Sequence, residues 1–453
     1  MPNKYEERLG TEPIVKLTFK MAMPAIAAQL VNLLYNIVDR IFIGHIPDIG
    51  TDALAGVGIT SAIIILISAF SSIVGGGGAP LASIALGQGD RKKASQILGN
   101  GFVMLAIFTV VVSAVTWILM EPILRFSGAS DNTLPYAAEY LNLYLVGTFF
   151  VMISTGLNNF INAQGRPGMA MWPIILGAAL NLILDPIFIF VLDMGVKGAA
   201  LATIISQAAS AIFILKFLVS ENASLKLSRA HMHLNSVIVK SITGLGLSPF
   251  IMASTESLVG FVLNSGLREF GDIYVSSLAI MMSAMQIVSV PLNGFAQGFV
   301  PIVSYNYGHG LIDRVRGMSK LALSFMFAFN FALILIMIIF PGAIASIFTK
   351  DTLLIETVCK HMPLFLAGMT IFGLQRACQN MFVALGQAKV SIFIALLRKV
   401  FLLVPLALVL PKFFGVSGIF GAEALADATA AIICTAIFLH SFPKILKQIT
   451  AKS

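Results

Sequence analysis

The stretch from residue 53 to residue 89, ALAGVGITSAIIILISAFSSIVGGGGAPLASIALGQG, runs for 37 residues without an aspartate, glutamate, lysine or arginine. About 20 consecutive apolar residues are enough for a helix to cross the hydrocarbon core of a bilayer. Two more uncharged runs follow, over residues 94–120 and 140–165. These runs predict membrane-spanning helices, because a helix satisfies its own backbone hydrogen bonds in lipid.

The composition of the whole chain agrees with this interpretation. Of the 453 residues, 58% are hydrophobic and 11% are charged, and the mean hydropathy is +0.92. A soluble domain carries about 25% charged residues, so this chain cannot cover its surface in water. The alternating ten-residue pattern of a membrane β-barrel is absent from the sequence. We therefore expect an all-α integral membrane protein whose main partner is the lipid bilayer.

The positive charge is distributed in a way that orients the chain. The net charge is +8, but the basic residues lie in short loops between apolar runs, which argues against a nucleic-acid partner. With the N-terminus placed in the cytoplasm, 19 of the 29 lysines and arginines, Lys452 among them, fall on the inside, 5 on the outside and 5 within helices. This bias predicts a multi-pass protein of the inner cell membrane with both termini cytoplasmic. No cleavable signal pattern precedes the first apolar run.

Twelve spanning helices are predicted, an even number as the orientation requires. Their expected positions are residues 14–43, 53–82, 94–119, 133–160, 167–192, 197–219, 237–266, 273–305, 313–341, 355–384, 389–410 and 416–442. The longest polar segment, SENASLKLSRAHMHLN over residues 220–235, lies near the midpoint. We expect an N-terminal six-helix lobe over 1–222, a cytoplasmic linker over 223–235 and a C-terminal six-helix lobe over 236–453.

The two halves of the chain repeat one another. Residues 78–89, GAPLASIALGQG, resemble residues 299–310, FVPIVSYNYGHG, which lie 221 positions later. Two shorter pairs have nearly the same offset, namely 163–165 with 384–386 and 195–198 with 415–418. Because each half holds an even number of helices, the halves share one orientation. The prediction is two six-helix lobes related by a pseudo-two-fold axis along the membrane normal, facing each other across a cavity.

A polar stripe follows one face of the first helix. It consists of Gln29, Asn32, Asn36 and Asp39, spaced three, four and three residues apart. An ionised side chain at the bilayer centre costs about 2.5–3.5 kcal/mol, so such a stripe is expected to line a cavity rather than face lipid. We interpret Asp39 as a cation-binding residue; the rival interpretations are a structural hydrogen-bond seam and an acid paired with Arg40.

The fifth helix carries a second polar pair. Asn181 and Asp185 are four residues apart on one face, and Pro186 follows directly. A proline removes a backbone donor and frees a carbonyl, so Pro186 and Pro24 are the expected hinges. Thr203 on the sixth helix completes an oxygen-rich set that suits a proton or a sodium ion. A purely structural polar cluster is the alternative.

The second half offers a different set of polar residues. Its acids are Glu256, Glu423 and Asp427, and the basic candidates to pair with them are Arg376, Arg398 and Lys399. Since buried charges usually pair, a structural ion network and a transport site are both open for Glu423 and Asp427. A candidate second coupling or substrate site comprises Glu256, Gln286, Asn293, Gln297, Gln375 and Arg376.

Catalytic and metal-binding chemistry finds no support in the sequence. The glycine run at residues 75–78 lacks the lysine of a phosphate-binding loop, and no nucleotide-binding domain or Ser-His-Asp arrangement is present. The three cysteines, Cys359, Cys378 and Cys434, form neither a disulfide framework nor a zinc motif. We expect a protein that is not an enzyme, has no cofactor and no metal beyond a sodium ion, and needs no obligatory protein partner.

At these residues the sequence resembles the multidrug and toxic compound extrusion (MATE) family, near its DinF-like bacterial branch. The resemblance covers essentially the whole chain. The segments that carry it are PAIAAQLVNLLYNIVDRIFIG at 24–44, LGQGD at 86–90, NFINAQGRP at 159–167, NLILDP at 181–186 and the repeat segment 301–310.

The resemblance implies a fold of two six-helix lobes around a V-shaped cavity. It implies a cation site at Asp39, Asn181, Asp185 and Thr203. Glu256 matches an acid of another branch, but that branch's acid on the tenth helix is missing here, where Gln375 and Arg376 stand. The implied function is secondary active efflux of small, often cationic amphipathic compounds in exchange for protons or sodium ions. Two alternatives stay open: a lipid-linked saccharide flippase of a related superfamily branch, and a membrane enzyme or channel.

Overall fold

The computed structural model describes residues 4–450, and within this range only the backbone of residues 257, 261 and 448–450 is described. The outermost residues of the two predicted lobes, with Lys452, lie outside it. The described part contains twelve helices long and apolar enough to span a membrane, which confirms the predicted number. They are α1 Ile14–Gly44, α2 Gly50–Gly87, α3 Arg91–Ile118, α4 Leu134–Ala163, α5 Pro167–Val191, α6 Gly195–Val219, α7 Ser236–Arg268, α8 Asp272–His309, α9 Ile312–Ile339, α10 Thr352–Ala384, α11 Ala388–Phe414 and α12 Val416–Lys447.

The repeat seen in the sequence reappears in the backbone. Each of the three repeated segments contains a glycine with positive φ, and its partner half a chain later has nearly the same angle. The pairs are Gly89 with Gly310 at 78° and 81°, Gly165 with Gly386 at 74° and 69°, and Gly195 with Gly415 at 54° and 55°. L-residues with a Cβ rarely adopt such angles, so glycine is required where each helix pair turns. The repeat therefore records equivalent turns in the two halves.

The fifth helix of each half also departs from regular α geometry, although the two π-helical segments lie at different levels of the repeat. In α5, a π-helical turn over Ile187–Val191 follows Pro186 directly. In α11, a π-helical segment over Leu397–Leu403 precedes Pro405. Pro24 lies inside the unbroken helix α1. Because π-turns and prolines loosen the backbone hydrogen-bond ladder, these are the places where the helices can bend.

The segment between the halves is held against the first half. The side-chain oxygen of Gln164 accepts hydrogen bonds from the backbone nitrogens of Ser224 and Leu225 at 2.7 and 3.1 Å. Asn100 accepts a hydrogen bond from the backbone nitrogen of Asn235 at 2.7 Å and donates one to the carbonyl oxygen of His233 at 3.1 Å. We propose that residues 223–235 form the boundary between an N-terminal lobe, α1–α6, and a C-terminal lobe, α7–α12.

The closest backbone approaches between the two halves lie toward one end of the bundle. In the first half they involve residues 22–26 of α1 and 73–87 of α2, and in the second half residues 242–249 of α7 and 294–308 of α8. Along the alternating helices, these segments all lie toward the end where α1 begins and α2 finishes. At the opposite end of α1, Leu34, Ile37 and Ile41 are about half exposed, at 61%, 48% and 50%. The two halves therefore pack most closely near the end where α1 begins, while this face of α1 is less covered by protein at the far end.

Small residues make these approaches possible. A Cβ placed on Gly246 of α7 would collide with the carbonyl oxygen of Ile73 on α2, and one placed on Gly77 would collide with the carbonyl oxygen of Ile242. Gly298 of α8 touches the backbone of Ala22 on α1 in the same manner. In lipid, where the hydrophobic effect does not drive helices together, close packing of this kind supplies much of the association energy.

Replacing Gly246 with alanine is expected to destabilise the protein by about 1–3 kcal/mol, because the added methyl group overpacks a backbone contact that cannot yield. Thermal unfolding of the purified protein in detergent measures this effect. Gly260→Ala is the matched control on the same helix, since a Cβ there meets no atom within 4 Å. Equal melting temperatures for Gly246→Ala and Gly260→Ala would contradict the proposed contact.

Candidate functional site

Two carboxyl groups from distant parts of the sequence meet inside the first half. Asp39 lies on α1 and Asp185 on α5, and their side chains are within hydrogen-bonding reach of each other. Asp185 is fully buried. The Oδ1 atom of Asp39 and the Oδ2 atom of Asp185 are buried with no hydrogen-bond partner among the described residues. Two carboxylates so close cannot both stay ionised unless a cation lies between them, so the pair suits a bound proton or small cation.

The other two predicted ligands lie beside this pair. Asn181 is 2% exposed, and its Nδ2 donates to Asp185 Oδ1 at 3.1 Å and to Thr203 Oγ1 at 3.5 Å. The structure thus brings Asp39, Asn181, Asp185 and Thr203 together. The rival partner Arg40 instead directs its Nη2 toward Ser61 Oγ, at 3.5 Å, and no ion pair within 4 Å joins it to Asp39.

Three tyrosines that the sequence analysis missed surround the acid pair. Tyr35 interacts with both Asp39 and Asp185, and Tyr140 on α4 shares a hydrogen bond with Thr203. Tyr140 and Tyr144 stack with ring centroids 6.3 Å apart. The available signal was the helical spacing, because Tyr35 precedes Asp39 by four residues and Tyr144 follows Tyr140 by four. These rings therefore form part of the surroundings of the acid pair.

A cavity of about 340 Å³ opens beside this cluster, lined by residues of the first half and by Gln297 of α8. Gln29 and Asn32 of the predicted stripe line it, together with Asn181 and Thr203. Asn36 does not line it; this side chain is exposed, and its Nδ2 donates to the carbonyl oxygen of Asn32 at 2.7 Å. Ser206 also lines the cavity, and its hydroxyl oxygen is buried without a hydrogen-bond partner among the described residues. The cavity therefore reaches Asn181 and Thr203 beside the acid pair, while Asp39 and Asp185 do not line it.

The donor set fits a hard monovalent cation rather than a transition metal. Carboxylate, amide and hydroxyl oxygens are ligands for sodium, while imidazole and thiolate ligands favour zinc or copper. Over the range 4–450, the structure contains no group of three or more His, Cys, Asp or Glu side chains arranged to hold a metal ion. The buried oxygens of Asp39 and Asp185 that lack a hydrogen-bond partner among the described residues are the feature that favours a bound cation or proton.

A second cavity, of about 510 Å³, lies between the two halves. Four residues of the predicted second site line it, namely Glu256, Asn293, Gln297 and Arg376. The structure does not bring the other two there. Gln286 is exposed and lines neither this cavity nor the first, and Gln375 is 2% exposed and points into the interior of the second half. Spacing along α8 places Gln286 on the same face as Asn293, but seven residues put it about 10 Å further along the helix axis, beyond the cavity lining.

The two remaining candidate acids of the second half, Glu423 and Asp427, form an ion network. Arg398 donates from Nη2 to Glu423 Oε1 at 3.2 Å and from Nε to Asp427, while its guanidinium lies 4.0 Å above the ring of Phe372. Glu423 and Asp427 are 2% and 0% exposed. Here the acid pair already holds a cation that belongs to the chain, which favours the structural interpretation of these two acids over a transport site.

Twelve spanning helices in two repeated halves, with a central cavity and buried acids to one side of it, define a polytopic membrane transporter. The sequence model of the MatE family matches residues 24–187 and 249–409, and the chain belongs to this family. The resemblance drawn from the sequence segments is thereby confirmed.

Individual relatives cover nearly the whole chain. The multidrug export protein MepA of Staphylococcus haemolyticus is 24% identical over 421 residues, which is 93% of this chain and 92% of that protein. A solved structure described as MATE in the bent conformation superposes with a TM-score of 0.92 at 21% identity, over 99% of this chain and 100% of that one. A Pyrococcus furiosus transporter of the MOP superfamily is described as having a binding pocket of reverse polarity that suggests a different function. It superposes with a TM-score of 0.90 at 21% identity, over 98% of this chain and 99% of that one. The fold is thus shared, while the cavity side chains must decide the substrate.

Proposed function

We propose that the protein is a secondary active multidrug efflux antiporter. It exports small, often cationic amphipathic compounds from the cell in exchange for protons or sodium ions. The observation that carries the coupling is the buried carboxyl pair Asp39 and Asp185, each with an oxygen that lacks a partner among the described residues. The family and the name of the MepA relative support the multidrug substrates.

The site is mechanically linked to the contact between the lobes through α1. This helix carries Asp39 in its second half, and in its first half Ala22 and Ile26 touch Gly298 and Gly294 of α8. Pro24 lies between these two contact residues. We propose that binding of a cation at Asp39 and Asp185 bends or straightens α1 at Pro24 and α5 at Pro186, which moves the α1–α8 contact and shifts the balance between the two open forms.

The orientation gives the exchange its direction. With both termini in the cytoplasm, the end at which the two halves pack most closely faces inward, and we propose that the cleft opens outward. A cation then enters the acid pair from outside while the substrate leaves the central cavity to the same side. The driving force is ample, because one elementary charge moved across 100 mV is worth about 2.3 kcal/mol.

The flippase alternative requires a strongly cationic cavity to hold the phosphates of a lipid-linked saccharide. Among the described residues that line the central cavity, the charged ones are Glu256 and Arg376, one acid and one base. This balance favours an amphipathic drug-sized substrate over a pyrophosphate headgroup.

Dye accumulation tests the proposal. A host that lacks its own efflux pumps is expected to retain several-fold less ethidium when it expresses this protein, and an ionophore that collapses the proton and sodium gradients is expected to restore full retention. A reduction that survives the ionophore contradicts ion-coupled export. Unchanged retention contradicts dye efflux altogether and leaves the flippase as the better hypothesis.

A further inference from the structure

We infer that the central cavity holds an acidic group of the substrate on Arg376, so that the preferred cargo is zwitterionic rather than simply cationic. This inference deepens the proposed export function and rests on it. It concerns the central cavity and not the cation site in the first lobe.

Arg376 has neutral partners where a paired arginine would have a carboxylate. Its Nη1 donates to Asn293 Oδ1 at 3.0 Å and to the carbonyl oxygen of Ser289 at 3.4 Å, and its guanidinium lies 5.6 Å from the ring of Phe372. Across the described residues, no carboxylate oxygen lies within 4 Å of it. The guanidinium is therefore held in place while its positive charge stays unpaired.

The nearby acids do not supply the missing charge. Glu423 and Asp427 are engaged by Arg398, and Lys399 lies close enough to interact with both. These four groups, two acids and two bases, balance among themselves. Arg398 is also a neighbour of Arg376, which leaves Arg376 in a locally basic environment. Within the described part of the chain, Glu256 is the one acid near Arg376 that forms no ion pair with Arg398, although it interacts at longer range with Arg376, Arg398 and Lys399.

Glu256 completes a dipolar cavity. It lines the same space as Arg376 from helix α7, and it is exposed, with no ion pair to any described residue. The same cavity is also lined by the apolar side chains of Met252, Val300 and Val383 and by Gln297. A guanidinium binds a carboxylate with two parallel hydrogen bonds, and a carboxylate binds an amine. The complementary ligand is an amphipath with an apolar body, a carboxylate and a cationic nitrogen.

Two rhodamine dyes isolate the carboxylate. Rhodamine 110 has a free carboxylate and a delocalised positive charge, and rhodamine 123 is its methyl ester, a pure cation on the same ring system. Fluorescence polarisation with the purified full-length protein gives the Kd of each dye, and everted membrane vesicles give transport of each. The variants are Arg376→Gln, which removes the charge, Arg376→Lys, which keeps it, and Glu256→Gln.

We expect Arg376→Gln to weaken rhodamine 110 binding by about tenfold or more, because the variant loses the charge-assisted hydrogen bonds to the carboxylate. The Kd of this variant for rhodamine 123 is expected to stay within about twofold of the wild-type value. Arg376→Lys is expected to recover part of the rhodamine 110 affinity. Glu256→Gln weakens both dyes, because both carry the cation. The thermal unfolding profile of each variant shows whether it is folded.

Three outcomes overturn the inference: wild-type protein that fails to bind rhodamine 110, Arg376→Gln that leaves its Kd unchanged, and Arg376→Gln that weakens both dyes equally. Failure of the proposed function gives a different result. In that case wild-type vesicles transport neither dye under any ion gradient, regardless of how the variants change the Kd of each dye.

Discussion

Replacing Asp39 with asparagine is expected to abolish ion-driven efflux of ethidium while the amount of protein in the membrane stays normal. Asparagine fills the same volume but cannot release or capture a cation by changing its charge. The pair with Asp185 then loses the property on which coupling depends. In proteoliposomes, an imposed proton or sodium gradient is expected to drive dye transport by this variant at least tenfold more slowly than by the wild type, which corresponds to an activation free energy higher by about 1.4 kcal/mol or more.

The stability of this variant separates a coupling role from a structural one. Asp39 Oδ1 is buried without a hydrogen-bond partner among the described residues, so an amide at this position removes a buried charge and is expected to leave the melting temperature equal or higher. Asp52→Asn, the same chemical change at an exposed acid near the start of α2, is the control and is expected to transport normally. Retained ion-driven efflux in Asp39→Asn would refute the site. A large loss of stability would indicate the structural seam instead.

Removing Arg398 is expected to destabilise the second lobe more than any other single charge removal discussed here. Arg398→Met leaves Glu423 and Asp427 buried without their main cation, and breaking a buried ion pair from one side typically costs about 3–5 kcal/mol. The variant is expected to melt at a much lower temperature or to accumulate poorly. Thermal unfolding in detergent, read by size-exclusion chromatography, measures the change.

A neutral triple variant provides the matched test. Arg398→Met combined with Glu423→Gln and Asp427→Asn removes the whole network, and it is expected to recover most of the lost stability because no buried charge is left unpaired. Arg316→Gln, which breaks an exposed pair with Asp313, is the control and is expected to change little. If the triple variant is stable but no longer transports any dye, the two acids of α12 belong to a transport site rather than to the structure.

The two lobes use equivalent positions in different ways. Glu423 and Asp427 on α12 follow Thr203 and Gln207 on α6 by 220 residues, the same offset as the repeated segment at the start of these helices. In the first lobe, Thr203 lies beside the acid pair Asp39 and Asp185, with which no basic side chain among the described residues forms an ion pair. In the second lobe, Glu423 and Asp427 are themselves the acid pair, and Arg398 supplies the positive charge. We propose that the first lobe is coupled to ion movement for this reason, and that the second lobe keeps a permanent internal cation.

Much of the architecture follows from the sequence alone. The twelve spans were each predicted within a few residues. A backbone in lipid must satisfy its own hydrogen bonds, and the length of each uncharged run shows directly where a helix can do so. The repeat follows from equivalent glycine turns. Asp39 and Asp185 stood out because an acid within an apolar helix is costly wherever the helix packs, and Asn181 stood out because it precedes Asp185 by four residues on the same face.

Tertiary structure decided which of these polar residues meet. Helical spacing places residues on a common face but does not state what that face contacts, so it grouped Gln286 with Asn293 although only Asn293 reaches the cavity. It also missed Tyr35 and Tyr140, whose roles depend on α1, α4, α5 and α6 converging on one point. The unpaired charge of Arg376 and the paired charge of Arg398 are equally invisible along the chain, because a charge acquires its partner only when distant helices pack together.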